Sequence, residues 1–377
     1  MNIFYKIGSA VIFGIIIVTS ALYFYQTKES AYSDVRPNVP EVPDLIKLRI
    51  NSMTLDQKVG QMFLVGIYTD NSVEMLKELI TQKYIGSVIL MGSTIKNRSV
   101  RDVTDELQNV ASSTGQLPLL VGVDQEGGVV SRIQDADSDL TGQPAIHDVD
   151  QAYNVAFARG KELSMKGVNV NFSPVLEYIT DPTSFLYARV FRGSKEDVVS
   201  FGAQMVRGYQ DAGIASTIKH FPGHENISVN SHTDLPISAI DRENFADHAD
   251  VFKQVIEKGD PMLVMTAHVF FPKIDSTYPA TLSPTFIEIL RTQDNFEGVI
   301  ITDDMNMGAI TKKFGVEEAA VQAVKAGNDI LLYVAPSDTI NRAYSAVLSS
   351  VRNGDISEQR IYESVYRILK TKSRLGE

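Results

Sequence analysis

The chain has 377 residues, 44% apolar and 21% charged, enough to bury one large core or two modest ones without covalent staples. It contains no cysteine, which excludes disulfides, thiolate-ligated metals, thiol nucleophiles and cysteine-linked lipid anchors. Acidic residues outnumber basic ones 46 to 35, and the formal net charge of −11 sets nucleic acid aside as a default partner.

Residues 1–27 open the chain, and from Ile7 to Tyr25 no charge interrupts an apolar run. That length approaches the roughly 20 residues a bilayer-spanning helix needs. The run, flanked by Lys6 and by Lys28 and Glu29, predicts a transmembrane signal anchor. The alternative is a cleaved signal peptide, cut near Ser20 and Ala21. The bulky Leu22, Tyr23, Phe24 and Tyr25 at its end favour the anchor. Residues 28–49 read as a linker, where Pro37, Pro40 and Pro43 favour extended backbone over helix. The protein is then expected outside the cytoplasm, membrane-anchored or, with cleavage, secreted.

From residue 50 to residue 345 short apolar runs alternate with helical patterns. The predicted strands are Met62–Ile67, Val88–Leu90, Leu119–Gly122, Val168–Phe172, Ala215–His220, Met262–Ala267, Val299–Thr302 and Asp329–Tyr333. They are near-continuously apolar rather than alternating, which is the pattern of parallel strands covered on both faces. Between them, Ser194 and Asp197 form a capping box ahead of an apolar stripe, Val198, Phe201, Met205 and Tyr209, that Gly213 stops. Glu317 to Ala326 makes a further helix, ended by Gly327. Such β/α units predict an α/β fold, a (β/α)8 TIM-type barrel carrying an N-terminal transmembrane segment. A doubly wound open sheet is the runner-up, but no GxGxxG or GxxxxGK[ST] loop follows the first strand. Residues 346–377 are expected to form a helical segment packed on the barrel.

The polar residues sit at particular places. Asp124 and Glu126 follow the third strand, Glu177 the fourth, His268 the sixth, and Asp303 with Asp304 the seventh, while Lys219 and His220 close the fifth. In a barrel these strand ends converge on one mouth. Taken singly, each is most simply a solvated rim residue, a helix cap or an ordinary loop histidine; it is their convergence that argues for a site. Adjacent acids on extended backbone point opposite ways, so one of Asp303 and Asp304 faces the pocket and the other supports the loop. An ionised carboxylate there suits a nucleophile directed at a sugar-like electrophilic carbon. In Lys219–His220–Phe221–Pro222–Gly223–His224, the lysine and two histidines can donate to hydroxyl or amide oxygens before a forced turn. His232, on the loop that follows, can pass a proton to a leaving-group oxygen near neutrality. A metal reading finds no HExxH, and His220 and His224 flank a Pro–Gly turn rather than sharing a helix face. No metal and no cofactor is expected.

These motifs resemble those of glycoside hydrolase family 3, specifically the single-domain β-N-acetylglucosaminidases that bacteria use on peptidoglycan fragments. The resemblance covers most of residues 50–345 and rests first on Lys219–His224, the most specific segment. Val123–Gly128, Asn171–Val175, Ile301–Met305 and Met307–Ala309 follow the family's order. It implies a retaining mechanism on a (β/α)8 barrel, with Asp303 as nucleophile and His232 as acid/base. It further implies that Asp124, Arg189, Lys219 and His220 hold the saccharide; His224, His268 and Glu177 are expected to join them by their positions. The chain departs from the family at Asn230, where an Asp usually partners the histidine, and at Glu225, Asn226 and Ile227, which replace Gly, Asp and Thr. It departs again at Val129, usually Arg, and Val190, usually Ser. Asparagine can orient the imidazole but adds no charge to stabilise imidazolium, and Glu225 is the candidate to supply that charge. The function expected is a retaining exo-β-N-acetylglucosaminidase acting on a small saccharide or muropeptide. A β-glycosidase or glycoside phosphorylase of different sugar specificity, and a catalytically weakened saccharide-binding protein, are the alternatives.

Overall fold

The computed structural model describes residues 44–68, 72–92, 94–136 and 138–376; the expected anchor and residues 28–43 of the linker lie outside the described residues, while the end of the linker, from Leu45, already belongs to the helix Leu45–Ser52. Residues 46–377 form one compact unit. Among the described residues no helix is long and apolar enough to cross a membrane.

Eight short strands form the centre: β1 (Phe63–Gly66), β2 (Ser87–Ile89), β3 (Leu120–Val123), β4 (Val170–Asn171), β5 (Ala215–Phe221), β6 (Leu263–Thr266), β7 (Val299–Thr302) and β8 (Leu331–Val334). They run β8-β1-β2-β3-β4-β5-β6-β7, every neighbouring pair parallel. A parallel bridge from Ile301 to Ile330 joins β7 to β8 and closes the barrel. Every strand residue is buried, as the near-continuous apolar runs require of strands with side chains inside the barrel and helices outside it. The barrel expectation is therefore met, and the open sheet is not.

Most strand ends fall within one residue of the sequence reading, but two strands begin two residues later, for identifiable reasons. β4 shrinks to two residues where the Asn169 side chain takes over part of the pairing with β3, though its backbone N–H still meets the Val121 carbonyl at 3.0 Å. Asn169 accepts from the Val121 N–H at 2.7 Å and donates to the Leu119 carbonyl at 3.0 Å. β8 begins after Asp329, whose fully buried carboxylate instead receives Arg291, Arg367, Ser364 and the Ile300 N–H.

The helices follow local signals. The Ser194–Asp197 capping box is present and starts Lys195–Asp211, whose Val198, Phe201, Met205 and Tyr209 are buried. Val316–Ala326 ends at Gly327, which adopts φ +118, a left-handed conformation that favours glycine. The helix Ser337–Arg352 runs through residue 345, where the sequence reading set a boundary. The last helix, Glu358–Arg374, returns to the N-terminal end of the barrel, where buried Lys372 donates to Gln61 and to the Gly86 carbonyl.

Candidate active site

At the opposite, C-terminal end of the barrel the β3 connection folds into an unanticipated hairpin, Gln125–Gly127 against Val130–Ser131. Its shape is set by amides. The Gln125 side chain accepts from the Arg132 and Ile133 N–H groups and donates to the Ile133 carbonyl. Asn171 grips the Gln125 backbone at both N–H and C=O. Gly127 stands at φ +85, and a Cβ there would lie 2.2 Å from the Thr141 carbonyl oxygen. Fully buried Arg159 donates to the Glu126 carbonyl from below.

This hairpin aims Glu126 into a buried ion network. Arg189 holds Glu126 through two bonds, 2.9 Å from Nε and 2.7 Å from Nη2. Lys219 Nζ lies 2.7 Å from Glu126 and 2.8 Å from Asp124. Burial alone would push the Glu126 carboxyl up, but Arg189 and Lys219 overcome it and hold it down at about 2. Lys219 in turn is raised, its burial outweighed by Asp124 and Glu126. Asp124 remains partly exposed, with one face toward solvent for a ligand. Glu126 was noted in the sequence only for its place after a strand; its part as shared counter-ion of Arg189 and Lys219 was missed.

The two histidines of the β5 motif share one acceptor. Glu177 Oε1 receives His220 Nδ1 at 2.7 Å, the His220 backbone N–H at 3.1 Å and His224 Nδ1 at 3.1 Å. A carboxylate that accepts at Nδ1 leaves the His220 Nε2 for a ligand. Glu177 and His224 are buried beside His220, and the shared Glu177 Oε1 orients both imidazoles. His268 stands behind the seventh strand end. It is fully buried, with Nδ1 3.0 Å from the Thr281 hydroxyl and Nε2 3.0 Å from the Asp304 carbonyl, and so braces the Asp303–Asp304 segment. Glu177, His220 and His224 are also the described residues whose ligand-type atoms cluster within 4.8 Å. Both imidazole–carboxylate hydrogen bonds use Glu177 Oε1, and Glu177 Oε2 and His224 Nε2 have no hydrogen-bond partner among the described residues.

Asp303 and Asp304 divide their work as alternation on an extended strand requires. Asp304 Oδ1 accepts from the Asn306 and Val334 N–H groups, tying the loop, and burial raises its carboxyl to about 7. Burial opposes ionisation of Asp303 as well. There His220 and His268, the Asp304 N–H and His232 prevail and hold the carboxyl at about 2. Asp303 is thus an ionised carboxylate at neutral pH and Asp304 is near its midpoint.

The loop after β5 brings His232 into the electrostatic reach of Asp303, Arg189, His220 and Asp124. Asn230 Oδ1 accepts from the His232 backbone N–H at 3.0 Å and faces its Nδ1 at 2.9 Å. An amide oxygen only accepts, so Nδ1 carries a proton and Nε2 is the atom that can exchange one. Desolvation, aided by Arg189 and His220, holds the imidazole below the ordinary histidine value against Asp303 and Asp124. The loop tip is tied where the Gly308 N–H meets the His232 carbonyl at 3.0 Å. Glu225, the candidate replacement charge, instead accepts from Ser238, and Asn230 is the His232 partner.

Two rim residues escaped the sequence reading. Tyr68, exposed after β1, feels Asp304, Asp124 and Arg132 on its phenol, so it and Arg132 edge the same pocket. Neither belongs to a run or spacing that would have marked it.

Residues 54–371 match the glycosyl hydrolase family 3 N-terminal domain. The chain is 33% identical over 335 residues to beta-hexosaminidase A of Pseudoalteromonas piscicida, an alignment covering 80% of this chain and 55% of that protein. It is 27% identical over 331 residues to beta-hexosaminidase LpqI of Mycobacterium tuberculosis, covering 84% and 82%. Its fold superposes on a family 3 beta-N-acetylglucosaminidase from Paenibacillus sp. FPU-7 with a TM-score of 0.83 and 38% identity, over 86% of this chain and 63% of that one. The chain thus spans little more than half the length of the Pseudoalteromonas relative. A match of this extent, on a closed barrel whose motifs meet at one rim, makes the chain a member of glycosyl hydrolase family 3.

Proposed function

We propose that this protein is a retaining exo-β-N-acetylglucosaminidase that acts on cell-wall, peptidoglycan-derived fragments through a covalent glycosyl-enzyme. The observation that carries the reading is the pairing of an ionised, buried Asp303 with a His232 whose Nδ1 is held by Asn230. The names of the similar proteins, beta-hexosaminidase and beta-N-acetylglucosaminidase, support the sugar. In the first step a carboxylate oxygen of Asp303 attacks the anomeric carbon. The bond to the leaving oxygen breaks, and His232 Nε2–H gives that oxygen its proton. In the second step water attacks the same carbon, neutral Nε2 takes the water proton, and the Asp303 carboxylate departs. Lys219, Asp124, Arg189 and His220 are positioned to hold hydroxyls during both steps, with the Lys219 and Arg189 charges already balanced by Glu126 and Asp124.

The full chain in detergent is expected to turn over an aryl β-N-acetylglucosaminide much faster than the matching aryl β-glucoside, with free sugar as product. Preference for the glucoside overturns the sugar assignment. Sugar 1-phosphate as the main product when phosphate is supplied makes the protein a phosphorylase, and no turnover of either leaves a saccharide-binding role.

The same reading extends to location. The uncharged apolar run from Ile7 to Tyr25 supports a membrane anchor with the barrel outside the cytoplasm. The protein is then expected to stay with membranes in high salt and leave them in detergent. A mature N-terminus near Leu22 would mean a cleaved signal and a secreted domain instead.

A further inference from the structure

The loop that carries His232 leaves β5 at Gly223 and returns at Ser238. Its outgoing foot is tied to one neighbour: Asn226 Oδ1 accepts from the Thr180 and Asp181 N–H groups at 2.9 and 3.0 Å. Its returning foot is tied to another: the Ser238 N–H meets the Phe270 carbonyl at 2.8 Å and the Phe270 N–H meets the Pro236 carbonyl at 2.8 Å. Among the described residues no backbone hydrogen bond joins segment 223–228 to segment 234–240. What joins them is a side-chain pair, Glu225 and Ser238.

Three features show that this pair is built rather than incidental. Glu225 sits at φ +55, a left-handed conformation that a residue with a Cβ keeps only when its surroundings hold it. Ser238 is buried, and its hydroxyl oxygen already accepts from the Ile240 N–H at 3.1 Å. A hydroxyl has one hydrogen, so that hydrogen is given to the Glu225 carboxylate, a charge-assisted bond of the stronger kind. Glu225 also faces a cavity of about 450 Å³, with Lys195, Asp247 and His248 in its wall. The lining of that cavity includes none of Asp303, His232, Asp124 or Lys219, so the carboxylate works behind the loop and not in the saccharide pocket.

We propose that Glu225 is a positioning residue for proton transfer: its bond to Ser238 clasps the two feet of the loop and thereby sets where His232 Nε2 stands. The proposal rests on His232 being the acid/base. The loop tip is secured separately, by Gly308 on His232 and Ala309 on Ser231. Opening the clasp therefore shifts the histidine without freeing the loop. kcat/KM reports the first step, where a displaced imidazole weakens proton donation to the leaving oxygen, so the loss in kcat/KM falls on poor leaving groups.

The test compares Glu225→Ala, Ser238→Ala, their double variant and Glu225→Gln with His232→Ala in the full chain. The substrates are a β-linked N-acetylglucosamine disaccharide and a dinitrophenyl β-N-acetylglucosaminide. Glu225→Ala and Ser238→Ala should each lower kcat/KM on the disaccharide by about 10-fold, a part of the roughly 10²–10⁴ that general acid catalysis supplies. kcat/KM on the dinitrophenyl substrate should change less than about 2-fold, since its leaving group needs little proton help. The double variant should be no worse than either single one, as expected of two halves of one contact. Glu225→Gln, whose amide oxygen still accepts from Ser238, should recover part of the loss. Equal losses on both substrates, or additive losses in the double variant, overturn the clasp. So does wild-type activity of Glu225→Ala on the disaccharide while His232→Ala loses it. If His232→Ala itself spares the disaccharide, the acid/base assignment fails, and the clasp fails with it.

Discussion

Replacing Asp303 with asparagine is expected to lower turnover by roughly 10⁴-fold or more, the scale on which loss of a covalent nucleophile is felt. The fold should survive, because the amide oxygen can still accept the Asp304 N–H that Asp303 accepts now. What disappears is the negative charge that His220, His268 and His232 all favour. A neutral amide cannot form the ester to the anomeric carbon that retention requires. In the unaltered protein a slow fluorinated substrate should label Asp303, found by mass analysis of the peptide carrying Ile301–Met305, and Asp303→Asn should take no label. Asp304 is the competing site and is a poorer one. Its Oδ1 is occupied by two backbone N–H groups, and its carboxyl, at about 7, is only partly ionised at neutral pH. A label on Asp304, or an active Asp303→Asn protein, reverses the assignment.

Loss of the imidazole is the second large effect. His232→Ala should cost about 10²–10⁴ in kcat/KM on a disaccharide and far less on an activated aryl glycoside. With the aryl substrate the slow step becomes release of the sugar from Asp303, and azide, which needs no base, should restore it. The pH profile carries the sign. His232 must be protonated to act as an acid, so kcat/KM on the disaccharide falls as pH rises through its pKa. Desolvation places that pKa below the ordinary histidine value, so the alkaline limb lies acid of about 6.5. Asn230→Asp puts a carboxylate against Nδ1 in place of the amide now 2.9 Å away. The added charge favours imidazolium and should move the limb to higher pH by about one unit or more. It should also raise disaccharide turnover at neutral pH. Glu225→Gln should leave the limb where it is, since that carboxylate is bonded to Ser238. A limb that moves with Glu225 and not with residue 230 would make Glu225 the working charge partner.

Much of this molecule was legible because the relevant signals are local. A strand covered on both faces must be apolar almost throughout, so Val299–Thr302 announces itself and the acid that follows it stands at the rim. A capping box needs two residues three apart, and Ser194 with Asp197 is found in the structure as read. The order of such units is enough to call for a closed parallel barrel, and a closed barrel is enough to bring Asp124, Lys219 and Asp303 to one end of it.

Contacts between distant parts of the chain decided the rest. Alternation told that Asp303 and Asp304 point apart, but not which of them is ionised; that depends on His220, His268 and the Val334 N–H, all brought from other strands. The sequence shows Glu177, His224 and His268 at strand ends, but not that Glu177 would hold both imidazoles of the β5 motif or that His268 would reach the Asp304 carbonyl. Glu126 acquires its partners across 63 residues to Arg189 and across the barrel to Lys219. Glu225 was a plausible charge for His232 in the linear order, and the path of the loop gave it to Ser238 instead. By itself the sequence determined the strands, the barrel and the rim on which the chemistry sits, because burial period and end position are properties of a few consecutive residues. Only the tertiary structure decided which carboxylate holds its charge and which side chain holds which histidine, because desolvation and ion pairing depend on what the rest of the chain packs against each group.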